Sequence, residues 1–333
     1  MFLKYRPARL QDLPECRDCI RDDFAYDGDA KDALVELWHE LLEQGAGYAA
    51  VIEDLNEAEG RRIVWFCFKV FIDCDYAMYL KTESPPIIGR QVLARWLKGT
   101  SPLLNRRAIE RANGTHGLTM LVLNSGAPAR MLNPDVLIHL SNQIVDFVLY
   151  FVAGYRCREF LIEYYDDFSC LWAEGAGLSL RTDYASYYRV HGLPLPDQRA
   201  HLFGSTPAEA SRRAGTVASA MLEFREPFLQ FNRKEQELLL HALLGATDDE
   251  VSHELSLALV TLRKRWDSIY QKIDQISPQL FAVYPERSSQ KGRGSEKKRR
   301  LLQYLRYHLE ELRPLERKAA IPCRSLETSQ RLV

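Results

Sequence analysis

Two spacings of apolar residues alternate along the first 190 positions. Short runs rich in Val, Ile, Leu and aromatics at residues 2–6, 48–53, 63–72, 118–123, 160–165 and 178–188 predict strands. The polar stretch 55–62 between the second and third of these predicts a hairpin. Helical spacing starts at Leu10 and recurs over residues 31–44, 133–154 and 166–174, whereas 73–116 reads as helix mixed with loop. Asn124-Ser125-Gly126 has the composition that ends a strand. Asn133-Pro134-Asp135 starts a helix, with Asn as cap and Pro in the first turn, and Gly154 stops it. This order predicts a mixed α/β unit with a central sheet over residues 1–190. Three prolines between His191 and Pro207 predict a linker, with a connector helix over 208–225. Beyond residue 230 only helical spacing remains. The predicted class is α+β: a mixed α/β domain at 1–190, linker and connector at 191–230, an all-α unit at 231–285, and a tail with an amphipathic helix at 286–333.

The helices after residue 230 follow closely on one another. Asn232 precedes residues 233–244, whose Leu238, Leu239, Ala242 and Leu243 share a face, and Gly245 ends them. Thr247 caps residues 248–255, with Glu250 three positions on in a capping-box arrangement. After a break at 256–258, a third helix covers 259–273. Its Leu262, Trp266, Ile269 and Ile273 recur at i, i+4, i+7 and i+11 and mark the buried face. The opposite face presents Val260, Thr261, Lys264, Arg265 and Ser268, with Arg263 at its edge. A DNA major groove admits one helix, and cationic and hydroxyl side chains on it grip phosphates and read base edges. The same pattern also fits an ordinary three-helix bundle with a solvated charged face.

The stretch Phe231-Asn232-Arg233-Lys234-Glu235-Gln236-Glu237-Leu238-Leu239, with Gly245, Asp249-Glu250-Val251, Leu255, Thr261-Leu262-Arg263-Lys264-Arg265-Trp266 and Ile269-Tyr270-Gln271-Lys272-Ile273, resembles the LuxR-type helix-turn-helix family. The resemblance covers residues 231–273. It implies that Thr261, Arg263, Lys264 and Arg265 contact DNA, with Ser268 on the same face, and that the bound form is a homodimer on paired half-sites. Ser256 and Ala258 replace the family's Gly and hydroxyl residue ahead of the recognition helix. The lost cap weakens the helix start by about 1 kcal/mol.

Overall charge at first argues against a nucleic-acid partner: 44 Lys+Arg stand against 45 Asp+Glu in 333 residues. The distribution changes that picture. Residues 1–230 carry 25 basic and 31 acidic side chains, a balance of −6; residues 231–285 carry 6 and 8; residues 286–333 carry 13 and 6, a balance of +7. Arg287, Lys291, Arg293, Lys297, Lys298, Arg299 and Arg300 are candidates for sequence-independent phosphate contacts. The following helix carries Leu301, Leu302, Leu305, Leu309 and Leu312 on one face, which fits either return to the body or pairing between subunits.

The order of elements over residues 1–190 is similar to the GNAT acetyltransferases. The carrying residues are Tyr5-Arg6-Pro7-Ala8 with Asp12-Leu13-Pro14, Gly154-Tyr155 before the strand at 160–165, and Asp166, Ser169, Glu174, Gly177 and Leu178 after it. That family's acyl-CoA cradle needs spaced glycines whose N–H groups meet the pyrophosphate at a helix start. Here the segment reads Gly126-Ala127-Pro128-Ala129-Arg130-Met131-Leu132-Asn133-Pro134, and both prolines remove an N–H donor. Ala173 stands where the family's general-acid tyrosine aligns, with Tyr164 and Tyr165 nearby. The expectation is therefore a non-catalytic, ligand-sensing or assembly domain with no catalytic residues and no cofactor. The alternative is an active N-acyltransferase using acetyl-CoA. Arg130 is a candidate anion contact, although an ordinary surface arginine is the favoured explanation.

The remaining chemistry is sparse. Cys16-Arg17-Asp18-Cys19 has no second ligand pair and reads as buried thiols, not metal. Tyr184, Tyr187 and Tyr188 pack the last strand or line a pocket; the aromatic and acidic spacing of an autoinducer-binding pocket is not found, and Trp38, Trp65 and Tyr48 alone keep that alternative open. Seven scattered cysteines, an opening segment rich in charges, and an apolar stretch at 136–155 broken by His139, Asn142, Gln143 and Asp146 point to a cytoplasmic chain without a membrane partner. The expected function is a transcription regulator that binds double-stranded DNA, with a possible small-molecule ligand.

Overall fold

The computed structural model describes residues 1–20, 26, 28–131, 133–196, 199–281 and 293–316. Its centre is a seven-stranded sheet of β1 (Leu3–Pro7), β2 (Gly47–Asp54), β3 (Ile63–Ile72), β4 (Leu118–Gly126), β5 (Cys157–Tyr164), β6 (Ser179–Thr182) and β7 (His201–Ser205), in the order β1-β2-β3-β4-β5-β7-β6. The hairpin of β2 and β3 forms as the polar break at 55–62 predicts. All neighbours are antiparallel except β4 and β5. This is the mixed α/β sheet with helices that the first 190 residues predict.

Helices cover both faces of the sheet. One core joins α1 (Leu13–Arg17), α2 (Gly28–Gln44), α3 (Cys74–Thr82) and α4 (Ile88–Leu97) to the inward residues of β2 and β3, around the fully buried Trp38 stacked 5.6 Å from Phe68. On the other face α5 (Arg106–Gly114), α6 (Pro134–Val152) and α7 (Asp167–Gly175) pack over Phe71, Met120, Tyr155 and Phe160. Cys16 and Cys19 are buried in the first core, and burial pushes the Cys19 thiol up to about 12.

Three expectations change. Asn124-Ser125-Gly126 does not end β4 but continues it, laddered to Phe68, Cys67 and Phe66 of β3. Residues 178–188 are not one strand: β6 is four residues long and is followed by α8 (Ala185–Val190). The tract expected as linker supplies β7, inserted between β5 and β6, and then α9 (Pro207–Ser211) and α10 (Val217–Leu222) in place of one connector helix. Thr206 caps α9 through a capping box with Glu209, and Thr216 caps α10.

From Arg233 onward every described element is helical: α11 (Arg233–Leu243), α12 (Asp248–Glu254), α13 (Leu259–Ile276) and α14 (Arg293–Leu305), then a short 3₁₀ turn, Leu309–Leu312. Thr247 closes a capping box with Glu250, as its spacing predicts, and the structure adds a second box between Asn232 and Glu235. α13 begins without a side-chain cap at Ala258. The leucine-faced helix ends at Leu305, yet Leu301, Leu305, Leu309 and Leu312 are all buried with Leu238, Val251, Leu262 and Ile269. The tail therefore folds back as part of this core.

Ion pairs and capping bonds tie this helical segment to the sheet. Lys4 on β1 reaches Glu250 at 2.6 Å, and Arg9 forks onto Glu254 of the same helix, α12. The hydrogen bond from Lys4, helped by the Thr247 N–H, lowers the Glu250 carboxyl from its ordinary 4.5 to about 2. A depressed carboxyl stabilises the fold above its ordinary value, and that contribution is lost as pH falls through the depressed one. Lys4→Ala should move the Glu250 titration back up towards 4.5, read by carboxyl carbon NMR; an unmoved midpoint removes this contact from the account.

At the far end of α6, Arg313 is buried, donates to the carbonyls of Ala153 (2.8 Å) and Tyr150, and lies 4.8 Å over the Tyr155 ring. Lys69 donates to the Phe151 carbonyl from the sheet side. Two buried side chains thus donate to carbonyls that the end of α6 leaves open. Gly154 is held by the same contact: at φ +85° any Cβ would lie 2.5 Å from the Glu310 amide.

Candidate functional site

Two places in the molecule have the makings of a site. The first is a fork in the sheet. β4 and β5 are registered from Leu118 opposite Cys157 to Val122 opposite Ile162 and no further, although β4 runs on to Gly126 and β5 to Tyr164. The facing edges of Leu123–Gly126 and Glu163–Tyr164 therefore carry backbone groups with no ladder across the gap. A cavity of about 360 Å³ fills the fork. Its walls are mostly apolar, with Trp65, Ile144, Val148, Phe160, Trp172 and Met221 among them. Ser141, Ile144, Val148 and Val152 all reach it from one side of α6.

Glu163 is the buried acid at this fork. Its carboxylate accepts hydrogen bonds from the N–H groups of Ile87 (3.0 Å) and Ile88 (2.7 Å) at the start of α4 and from the Tyr165 hydroxyl (2.5 Å). Burial pushes the carboxyl above its ordinary range, against those donors. Ile87 and Tyr184, beside it in the fold, both hold left-handed backbone, at φ +66° and +57°. Such strain persists only where surroundings over-determine it. Nearby, Asn124 accepts from the Trp38 indole at 3.2 Å. Gly126 is required where it stands, since a Cβ there would lie 2.3 Å from the Cys19 carbonyl oxygen.

The other sequence candidates around this sheet fall into place differently. Trp65, Tyr164 and Tyr165 line the cavity, whereas Trp38 is core. Tyr187 and Tyr188 pack against the first core, and Tyr184 is buried within it. Ala173 is fully buried and offers no polar atom to the cleft. Arg130 is exposed and spends its guanidinium on the carbonyls of Arg61 and Ile63, the latter at 3.0 Å. Among the described residues no group of three His, Cys, Asp or Glu is placed to hold a metal ion, and no helix is long and apolar enough to cross a membrane.

The second place is the outer face of α13. Leu262, Trp266, Ile269 and Ile273 are buried, as their spacing predicts. Thr261, Arg263, Lys264 and Ser268 are exposed and Arg265 is half-exposed; Thr261, Lys264 and Ser268 share the outward side, with Arg263 and Arg265, two positions apart, on its opposite flanks. Arg263, Lys264 and Arg265 form no ion pair with any described residue. The tail behaves otherwise. Lys297 pairs with Asp274 at 2.7 Å, Lys298 with Asp248 at 2.8 Å, and Arg299 and Arg300 share Glu296. These four tail cations are engaged within the chain, which counts against the phosphate role expected of them; Arg287 and Lys291 lie outside the described residues.

Several residues that hold these places together were not read from the sequence. Glu163 sits inside the run Phe160-Leu161-Ile162-Glu163-Tyr164, and an acid within a buried strand was the available signal. Lys69 in Ile63–Ile72 offered the same signal, whereas Glu311 and Arg313 offered none.

No family model and no curated protein matches the chain. Among solved structures it is similar to the C-terminal condensation domain of Ebony in complex with beta-alanyl-dopamine, with a TM-score of 0.39 and 16% identity over 62% of this chain and 100% of that one. It is also similar to the spermidine/spermine N-acetyltransferase from Vibrio cholerae (TM-score 0.35, 10% identity, 64% and 97% covered). A putative acetyltransferase of the GNAT family from Desulfovibrio desulfuricans gives 0.35 and 11%, with 61% and 98% covered. Scores at this level describe a loose likeness.

Proposed function

We propose that the chain is a DNA-binding regulator whose sheet domain holds a small molecule in the β4/β5 fork. The observation that carries the reading is the outer face of α13. Three successive cations without carboxylate partners among the described residues lie on and beside the outward side that carries the exposed hydroxyls Thr261 and Ser268, on a helix whose other face is fixed in a core. Cations on a helix held in this way are what a major groove and its flanking phosphates accept. The resemblance of residues 231–273 to LuxR-type modules supports the same assignment and a homodimer on paired half-sites. Lys264→Ala combined with Arg265→Ala should weaken electrophoretic retardation of a DNA fragment upstream of the protein's own coding sequence by about tenfold or more. Unchanged retardation refutes the assignment to α13.

A second reading is acyl transfer from acetyl-CoA, and the fork with buried Glu163 beside it is the observation in its favour. Against it stand the two prolines and the engaged Arg130 in the segment after β4, and the alanine at position 173. Calorimetric titration with acetyl-CoA separates the two readings, since a clear affinity supports the enzyme.

A further inference from the structure

We infer that the fork cavity takes an uncharged, chain-shaped molecule: an apolar tail joined to an amide, without a diphosphate. This deepens the reading of the fork as a ligand site and rests on that reading alone, independently of DNA binding.

Three features of the cavity lead to that class. First, no Lys, Arg or His is among the described residues that line it, and its two ionisable carboxyl side chains are Glu163 and Asp166. Asp166 is engaged in capping α7, accepting from the Ser169 N–H and hydroxyl at 2.9 Å each. An anion entering such a space meets acidic groups and gains no counter-charge, so it loses hydration without replacement. Second, the segment that follows β4 offers little to a phosphate. Positions 128 and 134 are prolines without N–H groups, the Met131 N–H is bonded to the Pro128 carbonyl at 2.8 Å, and the Arg130 guanidinium is bonded to two carbonyls. Third, the fork edges at Leu123–Gly126 and Glu163–Tyr164 lack strand partners across the gap. A secondary amide supplies one N–H and one C=O, the pair that an open strand edge takes up when it gains a neighbour. The apolar walls formed by Ile144, Val148, Phe160 and Met221 take the tail, and the volume is that of a small-molecule pocket.

The test uses the full chain, with tryptophan fluorescence as the readout because Trp65 and Trp172 line the cavity. The probes are N-octanoyl-glycinamide and octanoyl-CoA, which share a tail and differ in the group attached to it. The amide should titrate saturably and bind at least roughly tenfold more tightly than the thioester. Ile144→Trp, which places bulk in the cavity, should weaken amide binding by about tenfold or more while far-ultraviolet circular dichroism stays native. Tighter binding of octanoyl-CoA overturns the ligand class but leaves the fork as a site. Binding of neither probe overturns the fork as a site. Equal amide binding by a folded Ile144→Trp chain places the amide elsewhere and also overturns the inference. None of these outcomes alters DNA retardation by α13.

Discussion

Glu311→Ala should destabilise the fold by about 3–5 kcal/mol, because it orphans several buried donors at once. The Glu311 side chain is almost fully buried and accepts from three successive backbone N–H groups, Phe228 at 2.7 Å, Leu229 at 2.8 Å and Gln230 at 3.1 Å, with the Tyr304 hydroxyl at 3.1 Å as a fourth donor. Truncation leaves these donors unpaired in a place water reaches poorly, and each such orphan costs about 1–3 kcal/mol. The turn they hold includes Gln230 at φ +50°, a strained conformation that releases when its anchor is lost. That turn positions Phe231 and the Asn232 cap, so α11 loses its start as well. Gln236 donates to the backbone carbonyls of Glu311 and Arg313, which ties the same strap to α11 from the other side. Urea unfolding measures the loss, and hydrogen exchange should show α11 and α14 opening first. A change under about 1 kcal/mol would mean that the strap is dispensable.

How the chain would report an occupied cleft follows from α6. Its residues Ser141 to Val152 wall the fork, and its last carbonyls are held by Lys69 and Arg313. Arg313 is one residue beyond the turn that buries Leu309 and Leu312 under α11, α12 and α13. One rigid helix therefore touches both the proposed ligand space and the core of the helical segment.

Much of this architecture is legible in the sequence, and the reasons differ by element. The helices beyond residue 230 declare themselves through local chemistry: Asn232 with Glu235, and Thr247 with Glu250, each close a box within one turn. The β2–β3 hairpin is similarly local. β7 is not. His201-Leu202-Phe203-Gly204-Ser205 is five residues among prolines, and only pairing with β5 and β6, some 20 to 40 positions away, makes it a strand. Asn124-Ser125-Gly126 misleads because turn formers serve here as a strand edge laddered on one side and open on the other. The cavity itself comes from the divergence of β4 and β5, a tertiary property with no one-dimensional signature. On α13, spacing gave the buried face and so the exposed one. The pairing of the tail cations with Asp248, Asp274 and Glu296 could not be read, because two of the three partners are distant in sequence.

Salt dependence of DNA affinity, compared between the wild-type chain and Arg263→Ala/Lys264→Ala/Arg265→Ala, tests the central claim most directly. Each phosphate neutralised contributes a slope of about −0.9 to the plot of log K against log salt for duplex DNA. Contacts made to base edges are worth about 1–3 kcal/mol each in addition. The three cations are exposed or half-exposed on one helix and free of ion pairs with described residues, so they are available to DNA without breaking any such pair first. Removing them should weaken binding on the order of 100-fold at physiological salt and flatten the slope by up to about 2.7, with the helical core intact because none of the three belongs to it. An affinity and a slope identical to those of the wild-type chain would contradict the account and leave α13 as the solvated face of an ordinary bundle.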